Sequence, residues 1–183
     1  VNNFVFWVES VDKTYANKNA IFVRPFNEKN AIPQNLTGDG FFLKSYFHGY
    51  GGKSYRCLQI KNKFYLIWID QNSKAIWCQI FEIFNSSDSK IYLKSLNRSK
   101  QLSCSIKGNF DSSFSVINGN LLVGLVELND SDFLFSVDLE KENQDLKFIK
   151  KFKNFAGSLS SYKDNNILSW VEWDKLNMPW DKN

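Results

Sequence analysis

The sequence predicts an all-β chain, and three observations carry that expectation. An apolar strand running into an acidic residue recurs four times: Phe4-Val5-Phe6-Trp7-Val8-Glu9, Tyr65-Leu66-Ile67-Trp68-Ile69-Asp70, Leu122-Val123-Gly124-Leu125-Val126-Glu127 and Ile167-Leu168-Ser169-Trp170-Val171-Glu172. The terminal acids stand 61, 57 and 45 positions apart. Periods of about 40–50 residues built from short strands are how propeller blades look in sequence. Long inter-strand loops account for the two larger spacings. Second, 17 Phe and 6 Trp stand beside few alanines, and no long stretch keeps a helical period; that balance favours strands. Third, turn signals such as Asn118-Gly119-Asn120 and Asp164-Asn165-Asn166 separate the apolar runs, as hairpins require. The architecture expected is a partial β-propeller of about three blades, four antiparallel strands each, open at both ends.

The elements follow from the repeat in chain order. Residues 1–47 form an incomplete first blade and its connection: the anchor strand ending at Glu9, a strand over 20–24 and a weaker one near 32–36. The second blade, 48–105, opens with a strand over 54–60, continues through the anchor ending at Asp70 and a strand over 75–81, and closes near 91–96. The third, 106–154, repeats that order with strands over 112–117, the anchor ending at Glu127, 132–138 and 146–152. Residues 155–183 begin a fourth blade with strands over 156–162 and the anchor ending at Glu172. About 13 strands are expected, as a section of a larger ring. Unpaired edges at the two ends invite self-association.

Charge and cysteine content exclude several function classes. The chain of 183 residues is 43% hydrophobic and 23% charged, with a net charge of +4; that composition is globular, and the length suffices for a sizeable core. One basic cluster stands out: Lys147, Lys150, Lys151 and Lys153 interleaved with Phe148, Ile149 and Phe152. Nucleic-acid binding would want a basic face with stacking aromatics. A lysine-decorated outer strand that discourages edge pairing explains the cluster more simply, so no nucleic-acid partner is expected. Cys57, Cys78 and Cys104 are odd in number and widely spaced, which fits free thiols in a reducing cytoplasm rather than zinc or a disulfide framework. No apolar run approaches the length of a membrane span. The excess of Asn, Lys, Ile and Phe points to an AT-rich bacterial genome.

Two segments resemble a known family. His48-Gly49-Tyr50-Gly51-Gly52-Lys53-Ser54-Tyr55 is similar to the H-E-Y-G-G-G-x-Y signature of prolyl oligopeptidase-like serine peptidases, in particular the dipeptidyl aminopeptidase and acylaminoacyl peptidase branch. Trp170-Val171-Glu172-Trp173-Asp174-Lys175-Leu176-Asn177-Met178-Pro179-Trp180-Asp181 resembles that branch's L-x-W-D-H-P-N-M-P-W-D. Lys74-Ala75-Ile76-Trp77-Cys78-Gln79 fits more loosely where the family has Q-R-L-Y-R-Q. Gly49 replaces the motif's Glu, Lys53 its third Gly, and Lys175-Leu176 its His-Pro.

The resemblance implies an N-terminal propeller followed by a C-terminal α/β-hydrolase domain bearing Ser, Asp and His. This chain would lie within the propeller, with the hydrolase domain absent from it. That domain and the peptide substrate are then the expected partners. His48, Tyr50, Gly51, Gly52, Trp173, Asp174, Asn177, Met178, Pro179, Trp180 and Asp181 are the motif residues expected to shape or line the channel.

The remaining chemistry is thin. A serine hydrolase needs G-x-S-x-G and an imidazole base; the chain has no such elbow, and His48 is its only histidine. A loop or inter-blade hydrogen-bonding role suits His48 better. Gly49–Ser54 lacks the leading glycine of a phosphate loop, since Phe47 occupies that position, and it leads into a strand rather than a helix. Glu9, Asp70, Glu127 and Glu172 occupy equivalent places in successive blades, so they read as solvated strand ends and not as a converging metal ring. Asp130 and Asp132 carry only part of a calcium loop. Trp170, Trp173 and Trp180 read as packing mass, or as a platform for peptide or glycan.

Neither a metal nor a cofactor is expected, nor catalysis by this chain. The function expected is gating and recognition of peptide for the hydrolase domain. A free-standing module binding peptide or glycan, or an interaction scaffold, is the alternative.

Overall fold

Alternation of apolar residues along short runs places side chains on both faces of each strand, and the fold is built from how many of those faces are covered. The computed structural model describes residues 4–11, 18–85, 91–103, 105–141, 144–162 and 167–176. Within them lie 15 strands in four sheets, every pairing antiparallel, and one 3-10 turn at Phe47–Gly49. The first sheet holds β1 (Phe4–Ser10), β2 (Asn19–Pro25) and β3 (Gln34–Asn35). The second holds β4 (Tyr55–Ile60), β5 (Lys63–Asp70), β6 (Ala75–Asn85), β7 (Ile91–Ser95) and β8 (Lys100–Gln101). In the third are β9 (Asn109–Phe110), β10 (Ser115–Ile117), β11 (Leu121–Leu128), β12 (Ser131–Asp138) and β13 (Lys147–Lys151). The fourth holds β14 (Phe155–Tyr162) and β15 (Ile167–Trp173). The chain is an all-β propeller section.

Two strands beyond the 13 expected come from splitting, not from new lanes. β7 pairs with the far half of β6 and β8 with its near half. Between them Asn97 breaks the ladder: its side-chain carbonyl accepts the Ile80 N–H at 2.9 Å. β9 and β10 likewise share the edge of β11, interrupted at Asp111, whose carboxylate accepts the Ser113 N–H at 3.2 Å. Each five-stranded sheet is therefore a four-lane meander with one lane broken by a side chain that competes for a backbone donor.

The sheets stack face to face. Phe4, Ile21, Val23 and Leu36 of the first sheet and its loop pack on Phe64, Leu66, Trp68 and Phe81 of the second. The opposite face of β5 sends Tyr65, Ile67 and Ile69 against Phe114, Leu122, Val126 and Phe135 of the third sheet. The other face of that sheet, through Val123, Leu125 and Leu134, meets Ala156 and Leu159 of the fourth. Apolar burial of this kind is worth roughly 1.5–3 kcal/mol per large side chain. Cys57 and Cys78 are free thiols; burial pushes both up to about 12. Cys104 lies outside the described residues. No described helix is long and apolar enough to cross a membrane.

Candidate functional site

The loop joining the first and second sheets carries a polar cluster built around Ser45 and His48. Its 3-10 turn is short because His48 enters the left-handed region at φ 52°. Gly51, at φ +75°, then passes so close to Ser45 that a Cβ there would lie 2.5 Å from the Ser45 carbonyl oxygen. Only glycine fits that position. Ser45, 2% exposed, donates its hydroxyl to the Phe110 carbonyl at 2.7 Å and accepts the Phe47 N–H at 3.2 Å. The first bond fastens the loop to the third sheet and the second orders the loop itself.

His48 is held at both its backbone and its ring. Its N–H donates to Glu127 Oε2 at 3.1 Å, which also accepts Asn109 Nδ2 at 3.1 Å. His48 Nε2 lies 2.7 Å from Asp132 Oδ2, with side chains 7% and 2% exposed. Asp132 Oδ2 also accepts the Ala156 N–H at 2.7 Å, so the oxygen is an acceptor and Nε2 carries the hydrogen.

Glu127 and Asp132 are direct cross-strand partners on β11 and β12, an arrangement of like charges that is destabilising when unrelieved. One histidine relieves both. The imidazole is closed in by Phe47, Phe155 and Trp173 at centroid distances of 3.9, 4.5 and 5.4 Å. With Nε2 committed and the ring enclosed, this His–Asp pair fixes four elements to one another. Among the described residues no hydroxyl or thiol is bonded to His48.

The structure thus brings the two motif segments together: His48 meets Trp173 edge-on. Trp173 also covers Gly157, where a Cβ would lie 2.9 Å from its ring. Gly51 shapes the loop itself, and the remaining described motif residues stand at the surface. Tyr50 is 72% exposed, Gly52 is exposed, and exposed Asp174 caps the following turn by accepting the Leu176 N–H at 2.9 Å. Asn177, Met178, Pro179, Trp180 and Asp181 lie outside the described residues. Sequence reasoning missed Asp132, Glu127, Ser45 and Phe155 as members of this cluster. The available signal was the pair of acids flanking Asn129-Asp130, a two-residue turn with φ of 48° and 58° that sets them opposite each other. Asp132 is accordingly a strand residue bonded to His48, not part of a cation loop.

The four anchor acids divide into two kinds, which corrects their reading as solvated ends. Asp70 is only 5% exposed; it accepts the Phe42 N–H at 2.9 Å, the Ser73 N–H at 3.0 Å and the Ser73 hydroxyl at 2.6 Å. Glu127 serves His48. Glu9 and Glu172 are exposed, and each accepts the indole N–H two residues earlier, from Trp7 at 3.0 Å and Trp170 at 2.8 Å. In β5 the equivalent indole, Trp68 Nε1, is buried without a partner among the described residues, because Asp70 is shorter and already committed to its turn.

Glu172 also takes the Lys150 ammonium at 2.7 Å; Lys150 and then Trp170 hold its carboxyl below the usual range. Lys150 lies over the rings of Phe152 and Trp170 as well, so part of the basic cluster joins the third sheet to the fourth. Gly49–Ser54 runs directly into β4, a strand.

No protein-family model matches the chain, and no curated protein matches it. Its fold is shared with a solved structure, described as that of a Mycobacterium tuberculosis puromycin-hydrolyzing peptidase: TM-score 0.71 and 13% identity over 99% of this chain. The chain spans 28% of the length of that one.

Proposed function

We propose that this chain is a non-catalytic propeller section of a serine peptidase related to the prolyl oligopeptidases, of the acylaminoacyl or dipeptidyl aminopeptidase type. In this reading it gates and helps recognise peptide for an α/β-hydrolase domain encoded outside this sequence, in the cytoplasm. The observation that carries the reading is the fold match: 99% of the chain aligns with 28% of the length of a peptidase. The meeting of His48 and Trp173, one from each motif segment, supports it, since two segments far apart in sequence converge on one place. The chemistry asked of the chain is steric: a rigid wall admits small or unfolded peptide and excludes folded protein, while bond cleavage belongs to the partner domain.

Two measurements test this. The chain alone, given aminoacyl and acylaminoacyl p-nitroanilides, is expected to release no nitroaniline. Turnover that serine-directed reagents abolish would overturn the assignment. The complete reading frame is expected to carry G-x-S-x-G followed by Asp and His; a frame without them removes the peptidase.

A further inference from the structure

β4, β10 and β14 each lie at an edge of their sheet among the described residues, and a crevice runs between them. Its upper part, ≈ 300 Å³, is lined by Lys53, Arg56, Asp111, Ser112, Ser113 and Ser158 among others. A lower part of ≈ 740 Å³ shares Arg56 and continues over Leu58, Ile60 and Val116. Strand parity explains the placement. Tyr55 and Cys57 of β4 pack toward the first sheet, whereas Leu58 and Ile60 pack toward the third; Arg56 shares their parity and is aimed at Ser112 and Ser113.

The polar groups of the upper part are unequally satisfied. Asp111, its one carboxylate, is engaged by the Ser113 N–H and hydroxyl. Lys53 and Arg56 form no ion pair among the described residues, and both are exposed. Ser112 is 8% exposed and makes no side-chain hydrogen bond among the described residues. The recess therefore presents two cations without an ion pair among the described residues and a hindered hydroxyl, above a lower part of mixed lining whose apolar residues are Leu58, Ile60 and Val116. A guanidinium fork matches a carboxylate in a bidentate, charge-assisted way that a neutral amide cannot reproduce.

We propose that this crevice is a subsite for the carboxylate of a peptide. Arg56 binds it in bidentate fashion, Lys53 adds the second charge, Ser112 donates its hydroxyl, and the preceding side chain lies on Leu58, Ile60 and Val116. This deepens the peptide-recognition reading and rests on it for biological meaning, while its test is a binding measurement that needs no hydrolysis.

The experiment titrates this chain by calorimetry and amide NMR with three peptides: acetyl-Ala-Leu-Ala with a free C-terminus, the same peptide amidated, and acetyl-Ala-Leu-Glu-amide. At least one carboxylate peptide is expected to bind about tenfold more tightly than the amidated one, with Arg56→Gln removing that advantage. Comparing the free-acid and Glu peptides tells whether a terminal or a side-chain carboxylate is preferred. Lys53→Gln is expected to give a smaller loss, and raised salt to weaken only the carboxylate peptides. Equal affinity for acids and amide, or an advantage that survives in Arg56→Gln, overturns the subsite. Inorganic phosphate outcompeting both carboxylate peptides at Arg56 also overturns it, in favour of a phosphate site. None of these outcomes bears on the peptidase reading, which the hydrolysis assay and the reading frame decide.

Discussion

At His48 two acids that would repel each other are held by one residue, the first through its backbone N–H and the second through its ring. Removing Asp132 leaves His48 Nε2 and the Ala156 N–H buried without an acceptor. Each orphaned donor costs on the order of 1–3 kcal/mol. Asp132→Ala is therefore expected to lower unfolding free energy by about 3 kcal/mol, read from the urea midpoint at unchanged slope. In the cycle with His48→Ala the two losses should be strongly non-additive, coupled by about 1 kcal/mol or more. Simple additivity would show that the pair is incidental to the joint between the sheets.

At the scale of the strand, the difference between β5 and β15 is how many faces are covered. Every residue of β5 from Phe64 to Asp70 is buried, whereas β15 is exposed or intermediate throughout. β11 resembles β5, and its Gly124 lies under the rings of its cross-strand partner Phe135 and of Phe114. A Cβ there would lie 2.7 Å from the Phe135 ring and 2.9 Å from Phe114. Alanine favours a strand more than glycine does, yet here it must displace aromatic rings from a filled core. Gly124→Ala is expected to destabilise by about 1–3 kcal/mol in chemical denaturation. A gain in stability would mean that the rings have room to yield.

Across the whole molecule, the stack resembles a one-dimensional array in which stability depends on neighbours. Among the described residues the second and third sheets have a partner on both faces, the first and fourth on one. Native-state hydrogen exchange should follow that gradient: amides of β5 and β11 exchange slowest, those of β1 and β15 fastest. Uniform protection across the four sheets would contradict the array and indicate a single cooperative unit.

Strand positions were legible in the sequence because they depend on local pattern. Alternating aromatic and β-branched residues ending in an acid mark β1, β5, β11 and β15 without reference to anything distant. The all-β class follows from the same signal. What the pattern left open was the fate of each polar group. Nothing local separates Asp70, which caps a buried turn, from Glu172, which stays at the surface. His48 and Asp132 are 84 positions apart, and only the stacking of sheets places them in contact. The broken lanes at Asn97 and Asp111 are also choices between a side-chain acceptor and a ladder acceptor, decided by which neighbour is near. By itself the sequence determined where backbone extends and which faces are apolar, since both arise from adjacent residues. Tertiary structure alone decided which acids, cations and hydroxyls meet, because hydrogen bonds and ion pairs act over a few ångströms in space whatever their distance along the chain.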